Sequence, residues 1–277
     1  MSINCFSMKI AGHVAQVESR FASTQAYFRD YLTEEVPAFT IAPTDRDLEF
    51  EQSFSIAEAI AEGIRPRTYN GAHLERAAIQ RAFAEFLFDR DILLLHGSTV
   101  AVGDQAFLFT AKCGTGKSTH TRLWCQAHGG RMVNDDKPFL KLRDAGVTAF
   151  GSPWNGKHGL SENIAVALQG ICLLQRGEEN RIWPIAPADA LPMLRQQVFQ
   201  PQDPAKLLRL EMLLQKLTRT VPLWAMECNK DIQAAHVAYQ AMSRGVFMCQ
   251  PSSSPEEIHG GKGLDFAYVN ENQTAED

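Results

Sequence analysis

The chain has 277 residues, 27 of them Lys or Arg and 32 Asp or Glu, for a formal net charge of −5. Hydrophobic residues make up 45% and charged residues 21%, the composition of a globular protein with a packed core, which excludes a disordered chain, a collagen or a coiled coil. The balance is mildly acidic, so nothing in it favours nucleic acid or an anionic membrane as a partner. The six cysteines (Cys5, Cys113, Cys125, Cys172, Cys228 and Cys249) include no CxxC pair, which removes zinc ribbons and thioredoxin-like redox motifs. No secretory signal is visible at the N-terminus. The longest apolar stretches, such as Ile92–Leu95, fall far short of the ~20 residues that cross a bilayer. The expectation is a reduced, cytoplasmic protein.

Residues 1 to about 70 mix short β-like runs with polar breaks: Met8–Val17 alternates, and Phe39–Ile41 and Leu48–Phe50 read as short strands. From Ala72 to Asp89 the period becomes helical, with Leu74, Ala77, Ala78, Phe83, Phe86 and Leu87 as the apolar positions. A strand at Asp91–Leu95 leads into His96-Gly97-Ser98, and strands at Ser98–Val102 and Gln105–Thr110 follow. A glycine-rich loop opens a helix from Ser118 to about His128, which Gly129-Gly130 ends. A strand at Arg131–Asn134 runs into Asp135-Asp136, and Phe139–Leu142 and Val147–Phe150 form a hairpin around Asp144-Ala145-Gly146. Helices are predicted at Pro187–Phe199, Pro204–Leu217 and Asp231–Met242, with a strand at Leu223–Cys228. The pattern is α/β with a mixed sheet. It divides into an N-terminal segment (1–70) packing on the core, a catalytic domain (71–249), and a tail (250–277) that reads as disordered. Residues 251–277 hold six acids against Lys262 alone, so the tail accounts for the whole net charge.

The sharpest motif is Ala111-Lys112-Cys113-Gly114-Thr115-Gly116-Lys117-Ser118, followed by Thr119. It fits the Walker A phosphate loop with Ala in place of the first Gly. Glycines let successive N–H groups curl around phosphate oxygens, and the helix behind them points its positive end at the same anion. In such a loop Cys113 to Thr119 bind the nucleotide, Lys117 reaches the β- and γ-phosphates, and the Ser118 hydroxyl ligates Mg²⁺. Asp135 and Asp136 follow Lys117 by 18 and 19 residues, one helix and one strand later. That places two carboxylates at the end of a neighbouring strand, where one can hold metal and the other take a proton. A guanine-selecting Asn-Lys-x-Asp is absent, since Asn229-Lys230-Asp231 lacks the spacer, so ATP is the expected nucleotide.

Together His96-Gly97, 21 residues before Lys117, the phosphate loop and the Asp-Asp pair resemble the HPr kinase/phosphorylase catalytic domain, related in fold to phosphoenolpyruvate carboxykinase. The wider string looks closer still to small bacterial HPr-kinase-like kinases. It runs through His96-Gly97-Ser98, Gly114–His120, Leu123-Trp124, Asn134–Pro138 and Gly151-Ser152-Pro153-Trp154-Asn155-Gly156-Lys157. The resemblance covers about residues 92–245 and implies a P-loop kinase core of that type, with Asp136 as base, Asp135 beside it and His96 in the active site. It also implies self-association and a serine-like acceptor on a peptide, small protein or small molecule. Where that family carries an arginine-and-glycine motif for the reverse phosphorolysis, this chain has Pro153–His158. On the resemblance, Lys157 adds positive charge to the transferring phosphate.

Weaker candidates read two ways. Glu162 is either a second metal acid or a helix N-terminal residue. Arg176 is either a phosphate contact or a charge at a strand end, while His120 and His158 read as hydrogen-bonded or exposed rather than as ligands. The rival functions are a nucleotide-binding sensor that performs no transfer and a carboxykinase-like enzyme.

Overall fold

The computed structural model describes residues 3–61, 63–112 and 114–243; the tail assigned to 250–277 and the loop residue Cys113 lie outside them. The alternating run Met8–Val17 is two strands rather than one. β1 (Asn4–Ile10) and β2 (His13–Ser19) pair antiparallel around Ala11-Gly12, whose φ angles are 51° and 82°. Beyond a short helix α1 (Ala22–Tyr27), β3 (Phe39–Ile41) adds parallel to β2 and completes a three-stranded sheet.

Leu48–Phe50, expected as a strand, lies inside helix α2 (Asp45–Ala61). A capping box decides the matter. Thr44 N and Oγ1 donate to Asp47 Oδ2 at 2.7 and 2.6 Å, and Asp47 N donates back to Thr44 Oγ1 at 3.3 Å. That reciprocal closure starts a helix regardless of three residues that happen to alternate. Helix α3 (Gly71–Phe88) begins at Asn70, whose side chain accepts from His73 N. Its Ile79, Phe83 and Leu87 pack with Phe6, Met8 and Ile10 of the hairpin and with Phe139 and Trp154, forming one core. Fully buried Glu75 of α3 accepts from Ser19 Oγ, Arg20 N and Thr24 Oγ1 at 2.7, 2.7 and 2.6 Å. The first 70 residues are thus tied to α3 by both apolar packing and a satisfied carboxylate.

The main sheet opens with β4 (Ile92–Leu94), β5 (Ser98–Val102) and β6 (Gln105–Thr110). Helix α4 (Lys117–His128), β7 (Arg131–Asn134) and the hairpin β8 (Phe139–Arg143) and β9 (Gly146–Phe150) come next, each within a residue or so of its expected bounds. The strand that organises the sheet shows in the sequence only as a strand end at Arg176, without its extent. β10 (Ala165–Arg176) buries Gly170–Leu174 without a break, and a strand covered on both faces loses the alternation that identifies strands. Edge strand β11 (Arg181–Pro184) was also missed. The C-terminal part continues with α5 (Pro187–Gln197), α6 (Leu207–Thr220), β12 (Leu223–Cys228) and α7 (Gln233–Met242).

Helix α5 stops two residues earlier than expected, because the residues after it turn extended against β4: Phe199 N donates to Leu94 O at 2.8 Å and His96 N to Gln197 O at 2.7 Å. In α6 Leu210, Leu213, Leu214 and Leu217 form a buried stripe, while Leu207 and Leu208 are exposed. Among the described residues no helix is long and apolar enough to cross a membrane.

β10 pairs parallel with β6 along one side, antiparallel with β9 at its start and parallel with β12 at its end. β7 is antiparallel to β5, which is antiparallel to β6, so β7 runs with β6. The carboxyl ends of β6, β7, β10 and β12 therefore share one edge, where α/β sheets place ligands. Helices α4 and α7 cover the sheet over Phe107, Phe109, Trp224 and Met226, with Trp124 of α4 packed among them.

His120, in the first turn of α4, is wedged into this packing. Its ring lies edge-on to Phe109, and its Nε2 accepts from Trp124 Nε1 at 3.1 Å. Burial holds the imidazole down to about 4 from its ordinary 6.5, so the fold selects the neutral ring. The unfolded chain then binds more protons between those values, and stability drops as pH falls from about 6.5 towards 4 by about 3 kcal/mol. Denaturant midpoints at pH 7.5 and pH 4.5 should show that loss in the native chain and not in His120→Gln. Equal acid sensitivity of the two would contradict it.

Candidate active site

The loop after β6 bends back on itself through Gly114 and Gly116, with φ of 74° and 118°. These are left-handed conformations that side chains resist, although open space surrounds both positions. Gly116 caps α4 without any side-chain hydrogen bond, which leaves the first-turn N–H groups, those of Lys117 to Thr119, directed out of the helix end. Lys117 is buried, and its Nζ donates to Ala111 O at 3.1 Å, folding the side chain back over the loop. Ser118 Oγ donates to the Asp135 carbonyl at 3.3 Å. The loop and the end of β7 are thereby in contact.

Asn134, fully buried, shapes that end. Its Nδ2 donates to Ser152 O at 2.9 Å, Ser152 Oγ at 3.1 Å and Trp154 O at 3.1 Å. Its Oδ1 accepts from Asp136 N at 2.8 Å and from Lys137 N. An amide used at both ends in this way forces a tight turn and sends the two carboxylates in different directions. Asp135 Oδ1 accepts from Gly156 N at 2.6 Å, while its Oδ2 is buried with no hydrogen-bond partner. A side chain at position 156 would come within 3.2 Å of that oxygen, so glycine keeps the space open. Asp136 Oδ1 lies 3.2 Å from His96 Nε2. His96 is held by Thr110 Oγ1, which donates to its carbonyl at 2.8 Å, and by the hydrogen bond from its own N–H to Gln197.

These surroundings drive the two acids apart. Burial pushes the Asp135 carboxyl up, and neighbouring Asp136 adds to it against the hydrogen bond from Gly156. Burial also pushes Asp136 up, but the hydrogen bond with His96 and the charges of Lys137 and Lys117 outweigh it and hold Asp136 below the usual carboxylate range. Burial, with Lys137 and Lys117, lowers His96 despite the pull of Asp136, leaving a neutral imidazole beside an ionised carboxylate. Paired groups with opposed shifts are the usual basis for splitting acid and base roles.

Arg176 stands exposed at the end of β10. Its Nη2 donates to Gly114 O and its Nε to Thr115 O at 3.4 Å, so this strand-end cation grips the glycine loop. Beside it a cavity of about 370 Å³ is lined by Thr115, Gly116, Thr119, Leu174, Cys228 and Lys230. Asn229, set aside in the sequence because its motif lacks a spacer, also lines this cavity, and its Oδ1 accepts from Asp231 N at 2.9 Å.

The structure thus brings together Gly114 to Thr119, Asp135, Asp136 and His96. Cys113 is outside the described residues. Lys157 is not brought in: it is exposed, and no hydrogen bond or ion pair holds it among the described residues. Trp154, three residues earlier, is a core residue whose Nε1 donates to Arg76 O at 2.9 Å. Glu162 does not begin a helix. It lies in the extended segment ahead of β10, 3.5 Å from Arg131. His120 is hydrogen-bonded in the core and His158 is exposed. The sequence reading missed Asn134 and Lys137, although both stand in the Asn134–Pro138 string. Asn before two acids is a turn signal, and its spacing to Ser152 became visible only in three dimensions.

No family model matches the chain, and no curated protein matches it. Among solved structures, the HPr(Ser) kinase/phosphatase from Coxiella burnetii is similar over 55% of this chain and 97% of that chain, at 10% identity and a TM-score of 0.34.

Replacing Asn134 by Asp keeps the shape and the acceptor but removes the donors and sets a carboxylate against two carbonyls. Such a buried mismatch costs about 3 kcal/mol or more. Denaturant unfolding of Asn134→Asp should show that loss; a change below about 1 kcal/mol would mean that the turn does not depend on this side chain.

Proposed function

We propose that the protein is an ATP-dependent phosphotransferase that moves the γ-phosphate to a hydroxyl, serine-like in a peptide or small protein or carried by a small molecule. The observation that carries this reading is the unpartnered buried carboxylate oxygen of Asp135, the residue whose main-chain carbonyl takes Ser118 Oγ, at the same sheet edge as the loop and the His96–Asp136 pair. An orphaned carboxylate oxygen and a hydroxyl are the donor set that suits Mg²⁺, a hard cation that prefers oxygen. Ser118 and Asp135 hold the ion in this reading; when bound it neutralises charge on the β- and γ-phosphate oxygens.

Each remaining role falls to a residue already placed. The N–H groups of residues 114 to 119 cradle the phosphates. Lys117 exchanges the Ala111 carbonyl for a phosphate oxygen, a favourable trade of a neutral acceptor for a charged one. Arg176 holds the loop open from β10 and adds a cation to its rim. The cavity beside Arg176 takes the nucleoside, with Leu174 offering an apolar surface to the base. Asp136, kept ionised, accepts the proton of the attacking hydroxyl, and neutral His96 orients that carboxylate. Lys157 lies one residue beyond Gly156 and adds at most a solvent-screened charge.

Purified protein with γ-labelled Mg²⁺-ATP and a panel of serine peptides and hydroxylated small molecules should yield a labelled product. Lys117→Ala and Asp136→Asn should each slow transfer by about 100-fold or more. Transfer at the native rate in either variant would overturn the assignment.

A further inference from the structure

His96 also lines a second cavity, of about 370 Å³, bounded by α2, α3 and the end of α5 with the extended residues after it. The roles assigned above do not use it. Its size is that of a small-molecule site. Its charges are mostly committed to one another: Arg81 donates from Nε to Glu51 Oε1 at 2.5 Å and from Nη2 to Oε2 at 3.3 Å. The same guanidinium lies over the rings of Phe50 and Phe54 at 4.5 and 4.8 Å. The rest of the wall carries the acid Glu58 and, beside His96, Lys137, and is otherwise uncharged and hydrogen-bonding, with Gln80, Gln196, Gln197 and Gln200 among the lining residues and Phe54, Tyr69 and Phe199 offering ring surfaces.

Two of those amides are incomplete. Gln80 Nε2 and Gln197 Oε1 are both buried without a hydrogen-bond partner. One is a donor and the other an acceptor, and groups of this kind are normally satisfied. Both residues line the cavity, and the last torsion of a glutamine is soft. Lys137, which lines the cavity beside His96, adds positive charge only at that end.

We propose that this cavity binds a neutral polyhydroxylated small molecule, of the monosaccharide or cyclitol class, one hydroxyl of which receives the phosphoryl group. The proposal rests on the phosphotransfer reading. Hydroxyls both donate and accept, so one such ligand serves the Gln80 donor and the Gln197 acceptor together. An aliphatic ligand serves neither, and an anion suits Gln80 but opposes Gln197. The aromatic rings take the ligand's C–H faces. In the transfer step a new P–O bond forms at the ligand hydroxyl and the bond from the γ-phosphorus to the bridging oxygen of ATP breaks. ADP leaves, and the hydroxyl proton reaches Asp136 through His96, which takes it on its other ring nitrogen while giving the Nε2 proton to the carboxylate.

Calorimetric titration of the full-length protein with D-glucose, D-ribose and myo-inositol, first without nucleotide, tests the site apart from the chemistry. At least one of the three should bind. Gln80→Leu and Gln197→Leu should each weaken that binding about tenfold or more, with ATP affinity unchanged. The thermal midpoint should hold or rise, because each change removes an unsatisfied buried group; a merely structural glutamine would lower it. No binding of any of the three, or binding that survives both substitutions, would overturn the proposal. Transfer to a serine peptide with no polyol binding would overturn the cavity proposal and uphold the phosphotransfer reading. Polyol binding without phosphoryl transfer to any acceptor would do the reverse.

Discussion

The candidate site depends on one buried amide. Asn134 ends β7, ties the following turn to Ser152 and Trp154, and takes the N–H groups of Asp136 and Lys137 on its other end. Two consecutive acids in a flexible turn would repel each other and point to solvent. Held by Asn134, they diverge: the Asp135 carboxyl goes to Gly156 and that of Asp136 to His96. The opposed titration of the two carboxyls follows from that divergence, since Asp135 gains burial with little positive charge nearby and Asp136 gains His96, Lys137 and Lys117.

The sheet supplies the second constraint. Because β6, β7, β10 and β12 all end on one edge, residues from four separate stretches of chain meet there without a long insertion. The glycine loop follows β6, the acids follow β7, Arg176 closes β10, and the segment Cys228–Lys230 leaves β12. His96 joins them by preceding β5, which starts where antiparallel β6 ends. These side chains thus stand on short turns anchored at strand ends, so strand register sets where the turns meet.

What could be read from the sequence follows the range of each interaction. The glycine loop ahead of α4, the place of Asp135-Asp136 after β7 and helix α3 were legible, because each is set by neighbours within a few residues: glycines at positive φ, acids after a strand, a 3.6-residue period. α2 was legible in principle through Thr44 and Asp47, yet three alternating residues masked it. β10 hid its nature by being buried on both sides. The grip of Arg176 on the loop, the clamp of Asn134 on Ser152 and the cavity between α2 and residues 196–200 all join parts of the chain far apart in sequence. No local pattern encodes them. In the segment after β9, Trp154 packs in the core and Lys157 faces solvent, a division that the turn-rich sequence around them does not encode.

The central claim is that Asp135 and Ser118 complete a metal-dependent nucleotide site. Its most direct measurement is the affinity for ATP, by calorimetry, with Mg²⁺ and with the metal chelated, in the native protein and in Asp135→Asn. The native protein should bind ATP about tenfold or more tightly with Mg²⁺, and the variant should lose that gain while still binding the metal-free nucleotide through the loop. ATP binding that ignores Mg²⁺ in the native protein, or an Asp135→Asn variant that keeps the full metal dependence, would contradict the claim.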